Sequence, residues 1–181
     1  MIQTLQSRIT GKIVLILFMA ANGVYLAMLG YSIPQVMAHS DGLPLFDMSP
    51  MGYSYEDALA LLNQLGEEGR NAYLSLQLVL DLFYPALFGL CYFCLAQWLF
   101  KLGRLNNRLW LVISLLPILV CVSDYAENVS IWLMLTKYPS VSELLVAVSS
   151  FFTLLKSIST MVYFAGLTIL LCLLASRKLR Q

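Results

Sequence analysis

The third long apolar stretch of this chain contains acidic and amide side chains, in the segment SDYAENVSIW at residues 123–132. Asp124 and Asn128 are about one helical turn apart and would share a helix face, while Glu127 lies about 60° from Asp124 around the axis. The flanking residues are apolar over a length that can cross a bilayer. Carboxylates in such a setting can bind a cation, carry a proton, or act as an acid and a base.

The other apolar stretches carry polar residues at helical spacing as well. The second contains Gln77, Asp81 and Tyr84, the fourth contains Lys156, and the first contains Asn22. Counted from the ends nearest the long first loop, Asn22, Asp81 and Lys156 lie about 15–20 Å deep, which is also the depth of the two acids on the third stretch. We therefore predict one shared polar site, between the membrane midplane and the outer interface. Its candidate ligand-binding residues are Asn22, Gln77, Asp81, Tyr84, Asp124, Glu127, Asn128 and Lys156.

The charge balance of this predicted site favours a functional role over a purely structural one. A charged residue at the centre of a membrane helix costs roughly 2.5–3.5 kcal/mol, so these groups are expected to pair. Lys156 can neutralise only one of the three carboxylates, and protons or a bound cation must balance the others. The alternative is a structural one, in which Lys156 pairs with a carboxylate to fix helix register, and hydrogen bonds from Asn128 and Gln77 hold the helices together.

The composition determines which elements position these residues. Hydrophobic residues make up 60% of the 181 residues and charged residues only 12%, as in proteins with several membrane spans. The stretches long enough to cross a bilayer are approximately 11–33, 72–100, 109–135 and 143–175. We predict an all-α integral membrane protein, a four-transmembrane-helix bundle that forms a single domain over residues 1–181.

The distribution of charge predicts the orientation of the bundle. Basic residues without acids lie before the first stretch, between the second and third, and after the fourth, whereas most acids lie in the loop at 34–71. Under the positive-inside rule both termini are cytoplasmic and the 34–71 loop faces outward. We expect a multi-pass protein of the cell (inner) membrane. The first stretch should be a retained helix, because it is too long for a signal peptide and no cleavage pattern follows it.

The 34–71 loop is predicted to contain a short amphipathic helix. Ser54 can cap it, Asp57 stands at the capping-box position, and Gly66 can end it. Its apolar face, which comprises Leu59, Leu62 and Leu65, should lie on the outer membrane surface or against the bundle. The helix would seal the bundle or gate access to it. The preceding segment PLFDMSPMGY should be irregular, because it is rich in Pro and Gly.

Several classes of chemistry lack the residues that they require. The pair Cys91 and Cys94 has no partner cysteines in the 34–71 loop, so neither a disulfide framework nor quinone-linked disulfide formation is expected. His39 is the only histidine, so a zinc or haem site is not expected, and we predict no cofactor and no metal. No Ser-His-Asp set or phosphate-binding glycine loop is present. The short basic tails act as topology signals, and we expect no nucleic-acid partner.

Three hypotheses about function remain. The first is that the buried acidic site with its lysine binds a small polar or cationic ligand, or protons, with transport as one use. The second is an intramembrane enzyme that acts on a lipid or isoprenoid by carboxylate acid and base catalysis. The third is a structural or assembly subunit whose polar stripes contact a membrane partner. Since a transporter usually contains two repeats, transport would require a homo-oligomer or a partner protein.

Overall fold

The computed structural model describes residues 8–103 and 108–179. Helix α1 runs over Gly11–Met37, α2 over Tyr55–Ala72, α3 over Tyr84–Gly103, α4 over Arg108–Lys137 and α5 over Glu143–Leu179. The described residues contain no strand. Four helical segments are long and apolar enough to cross a membrane, which confirms the predicted all-α bundle. The first span is α1, the second joins the end of α2 to α3, and the third and fourth are α4 and α5.

The predicted amphipathic helix is the first part of α2. Ser54 and Asp57 form the reciprocal capping box, and the positive φ of 60° at Gly66 interrupts the helix where it was expected to end. Leu62 and Leu65 of this helix are buried. They pack in one apolar cluster with Met134 of α4, so the helix lies against the bundle.

The second span is irregular where the polar residues occur. It forms a π-helical turn at Tyr73–Gln77 and loses helical structure at residues 81–83, just before Pro85. Because Pro85 has no N–H, the carbonyl of Asp81 loses its helical partner, which accounts for the break. A second π-helical turn, Met28–Ser32, lies on the first span beside it. Such turns re-aim side chains and are common at functional sites.

The spans pack in chain order, the first against the second, the second against the third, and the third against the fourth. Gly89 brings the second and third spans together, because a Cβ at this position would lie only 3.0 Å from Cys121 Cβ. Within the described residues, the first and fourth spans share no extended interface. The bundle is therefore open along one side, and the polar residues lie behind this opening.

Candidate functional site

Two acids and one lysine form a buried ion group between the third and fourth spans. Lys156 Nζ lies 3.0 Å from Asp124 Oδ1 and 2.5 Å from Glu127 Oε2. Thr153, one turn before Lys156, donates a hydrogen bond of 2.7 Å to Glu127 Oε1. The Glu127 side chain is completely buried, that of Asp124 is 6% exposed, and that of Lys156 is 16% exposed. The ion group thus has a closed side at Glu127 and a more accessible side at Lys156.

A segment of the first loop covers the ion group. This segment, residues 43–54, is here called the strap. Leu45 and Phe46 are buried in the apolar cluster of α2, so the strap is inserted into the end of the bundle. The insertion carries Asp47 to the second span, where it accepts a 2.6 Å hydrogen bond from Gln77 and another from Tyr73.

The strap is also bound to the fourth span. The Tyr53 hydroxyl donates to Ser149 Oγ at 2.7 Å, and the Tyr53 N–H donates to Ser150 Oγ at 3.0 Å. Burial raises the pKa of Tyr53, which keeps its hydroxyl protonated as a donor. The strap therefore connects the second span to the fourth. Its contact with Ser149 lies one helical turn before Thr153, which binds Glu127 of the ion group.

Close packing at Gly52 gives a prediction for the strap. Gly52 has a φ of +79°, and a Cβ there would lie 2.6 Å from Ser150 Oγ. Gly42 has a similar φ of +83° but has open space around it, so Gly42→Ala carries the backbone strain without the clash. We expect Gly52→Ala to destabilise the strap by about 1–3 kcal/mol more than Gly42→Ala. Limited proteolysis of the loop in both variants measures this difference, and equal cleavage rates would contradict it.

A cavity of about 470 Å³ separates the ion group from the strap. Asp124 and Lys156 line it on one side, and Asp47 lies on the wall formed by the strap. Tyr25 and Met161 are 41% and 67% exposed and stand at the rim, one on the first span and the other on the fourth. The cavity therefore lies at the open side of the bundle. Its volume is within the range of about 300–1,000 Å³ that is usual for small-molecule sites.

Asp81 and Asn128 do not line this cavity. Asp81 is buried at 3% exposure, and it lines a separate groove of about 190 Å³ between the second and third spans together with Asn128. Asn128 Nδ2 donates to the Asp81 carbonyl oxygen at 3.3 Å, and the Tyr125 hydroxyl donates to the Leu82 carbonyl oxygen at 2.8 Å. These donors replace part of the hydrogen bonding lost at the helix break before Pro85. Asn128 thus supports the backbone at this break, and the Asp81 carboxyl lies close enough to Asp124 and Lys156 to interact with them electrostatically.

The remaining candidate residues have different positions. Tyr84 lines the cavity and stacks on Tyr25, with ring centroids 5.6 Å apart. Gln77 accepts a 2.6 Å hydrogen bond from Ser32, in the π-helical turn of the first span, and donates to Asp47, so it supports the strap. Asn22 does not join the site, because its amide donates to the Phe18 carbonyl oxygen of its own helix.

The sequence interpretation did not include Asp47 in the site. Asp47 was placed with the other acids of the outward-facing 34–71 loop, and its neighbours Leu45 and Phe46 were the available signal that this part of the loop is buried.

No protein-family model matches the chain, and neither a curated protein nor a solved structure matches it.

Proposed function

We propose that this protein binds a small organic cation, such as a protonated amine, in the cavity between Asp47 and the Asp124–Lys156 ion group. The observation that supports the proposal is the cavity itself, which is lined by carboxylates from the strap and from the third span and by one lysine that is already paired. Only Oδ1 of Asp124 accepts from Lys156, and no hydrogen bond to its Oδ2 is present among the described residues. A cation in the cavity can therefore approach a free carboxylate oxygen.

The electrostatic balance favours a cation over an anion. Asp47, Asp81, Asp124 and Glu127 carry four potential negative charges, against one positive charge on Lys156. In a region of low dielectric, unbalanced charge of this size is too costly to persist, and a bound cation or protons must reduce it. The rings of Tyr25, Tyr84 and Phe88 on the cavity wall offer cation–π contacts to an ammonium group.

The orientation follows from the distribution of basic residues. We place the protein in the cell (inner) membrane with both termini in the cytoplasm, so that the strap and the cavity lie toward the outer side. The cavity would then take a ligand from the outer side of the membrane or from the outer leaflet. Binding is the proposed activity, and transport is one use of it that would require a second copy or a partner.

A charge series tests the proposal on the wild-type protein. Benzylamine, benzyl alcohol and benzoate share one ring and differ in charge at neutral pH. We expect benzylamine to bind at least about tenfold more tightly than benzyl alcohol, and benzoate to bind most weakly, because a hydrogen bond between charged groups contributes about 1.5–3 kcal/mol. Isothermal titration calorimetry in lipid nanodiscs measures the order. Equal affinities, or tightest binding of benzoate, would reject an organic-cation site.

The opening between the first and fourth spans favours a second candidate function, an intramembrane acid and base enzyme with a lipid or isoprenoid substrate. Such an enzyme needs a side entrance from the bilayer, and Tyr25 and Met161 border one. One carboxylate of the ion group would act as the acid and the other as the base. Mass spectrometry of lipid extracts after incubation with the protein tests this candidate. A product that forms equally with Asp124→Asn and Glu127→Gln would exclude it.

A further inference from the structure

We infer that the ligand is an amphiphile, a primary amine with an alkyl tail, which enters sideways from the bilayer between the first and fourth spans. This inference rests on the proposed amine site and specifies the rest of the molecule that the amine belongs to. It depends on how polar and apolar groups are arranged around the cavity, and on where the cavity opens.

The cavity has a polar end and an apolar end. Asp47, Asp124 and Lys156 form the polar end, while Phe88 and Val120 are buried apolar residues of its lining. Beyond Phe88, aromatic contacts with Tyr92 and Phe164 close the cavity toward the opposite end of the bundle. A ligand with its ammonium group at Asp124 cannot extend in that direction, so any longer part must leave through the open side.

The open side is suited to an alkyl chain. Its rim residue Met161 is 67% exposed, and Ile158 and Val162 beside it on the fourth span are also half exposed, as expected for side chains that face lipid. Asp124 provides the complementary polar end, since it is only 4% exposed, lines the cavity, and has a free carboxylate oxygen. An ammonium group can therefore reach a buried acceptor while its tail stays among acyl chains. A fully hydrophilic ligand of the same length would have to place polar groups among the acyl chains at this opening, which is costly.

The test compares propylamine with decylamine on the protein in nanodiscs. Both carry the same head group, and the ratio of their affinities reports the contribution of the tail. Partition of decylamine into the bilayer raises its apparent affinity for every variant alike, so the change in this ratio between variants is the informative quantity. Two variants narrow the cavity, Thr160→Phe and Ser157→Phe, since both residues line it. Val148→Phe is the matched control, because Val148 lies on the same helix, is also partly exposed, and is not among the residues that line the cavity.

We expect each cavity variant that retains the wild-type melting temperature to lower the decylamine-to-propylamine ratio by about tenfold, which corresponds to the burial of roughly two methylene groups. Val148→Phe should keep the wild-type ratio. An unchanged ratio in both cavity variants, with propylamine binding still abolished by Asp124→Asn, would overturn the amphiphile and leave the amine site standing. Amine binding that is insensitive to Asp124→Asn would instead overturn the proposed function, and the amphiphile with it.

Discussion

Replacing Lys156 with methionine should lower the free energy of unfolding by about 3–5 kcal/mol, the usual cost of removing one partner from a buried ion pair. Methionine has a similar length and removes only the charge and the hydrogen-bond donors. Asp124 and Glu127 would then face each other without a cation, and Glu127 is completely buried. Since Glu127 Oε2 has no partner other than Lys156 among the described residues, nothing nearby can replace the lysine. Unfolding in mixed micelles measures the loss.

Two further variants make this prediction specific. Lys137→Met removes a lysine from the exposed end of the same third span, and it should change stability by less than about 0.5 kcal/mol. The triple variant Lys156→Met, Asp124→Asn and Glu127→Gln removes the entire ion group. It should recover more than half of the stability lost in the single variant, because no unpaired buried charge remains. If Lys156→Met proves as stable as Lys137→Met, Lys156 does not form the buried pair described here.

The second large effect concerns binding. Asp124→Asn should weaken benzylamine binding by about tenfold to a hundredfold, because the ammonium group loses a charged acceptor in a buried site. The variant keeps the shape of the side chain, and Lys156 keeps its contact with Glu127. The loss should therefore be greater in affinity than in stability. Titration calorimetry of the two proteins measures it directly.

Glu56→Gln is the matched control for this binding experiment. Glu56 is exposed on α2, outside the residues that line the cavity, and its replacement changes the net charge by the same amount. We expect its benzylamine affinity to stay within about twofold of wild type, since exposed charges are screened by salt over about 10 Å. A similar loss in Glu56→Gln and Asp124→Asn would indicate general electrostatic attraction in place of a specific site.

Much of the fold follows from the sequence, because a bilayer imposes strict requirements on it. Backbone hydrogen bonds must be satisfied within each span, so long apolar runs can only be helices, and their lengths give the four spans. The helix in the first loop was predictable from Ser54, Asp57 and Gly66, since capping depends on local contacts. The break in the second span is also a local effect, since it depends on the missing N–H of Pro85. The order of packing depends on side-chain fit over long sequence separations and has no comparable signal. The same holds for the lack of an extended interface between the first and fourth spans in the described part of the chain.

The candidate site was less predictable than the fold, because it also depends on contacts between segments far apart in the sequence. Helical periodicity indicates which residues share a face, and it brought Asp124 and Lys156 to one level. It does not determine how far a span is rotated. Asn22 illustrates the limit, because an amide at the same depth satisfied itself on its own helix. Asp47 illustrates another limit, since a residue in a loop has no periodicity, and its position depends on the insertion of Leu45 and Phe46.

A double-mutant cycle for benzylamine binding with Asp47→Asn and Asp124→Asn tests most directly whether one bound cation contacts both carboxylates. The two residues lie on different walls of one cavity and belong to segments far apart in the sequence. If both carboxylates face the same bound ammonium group, the two losses will not add, and the coupling energy will exceed about 0.5 kcal/mol. Additive losses, or no loss on changing Asp47, would show that the two carboxylates do not share a ligand. The proposed amine site between Asp47 and Asp124 would then be wrong.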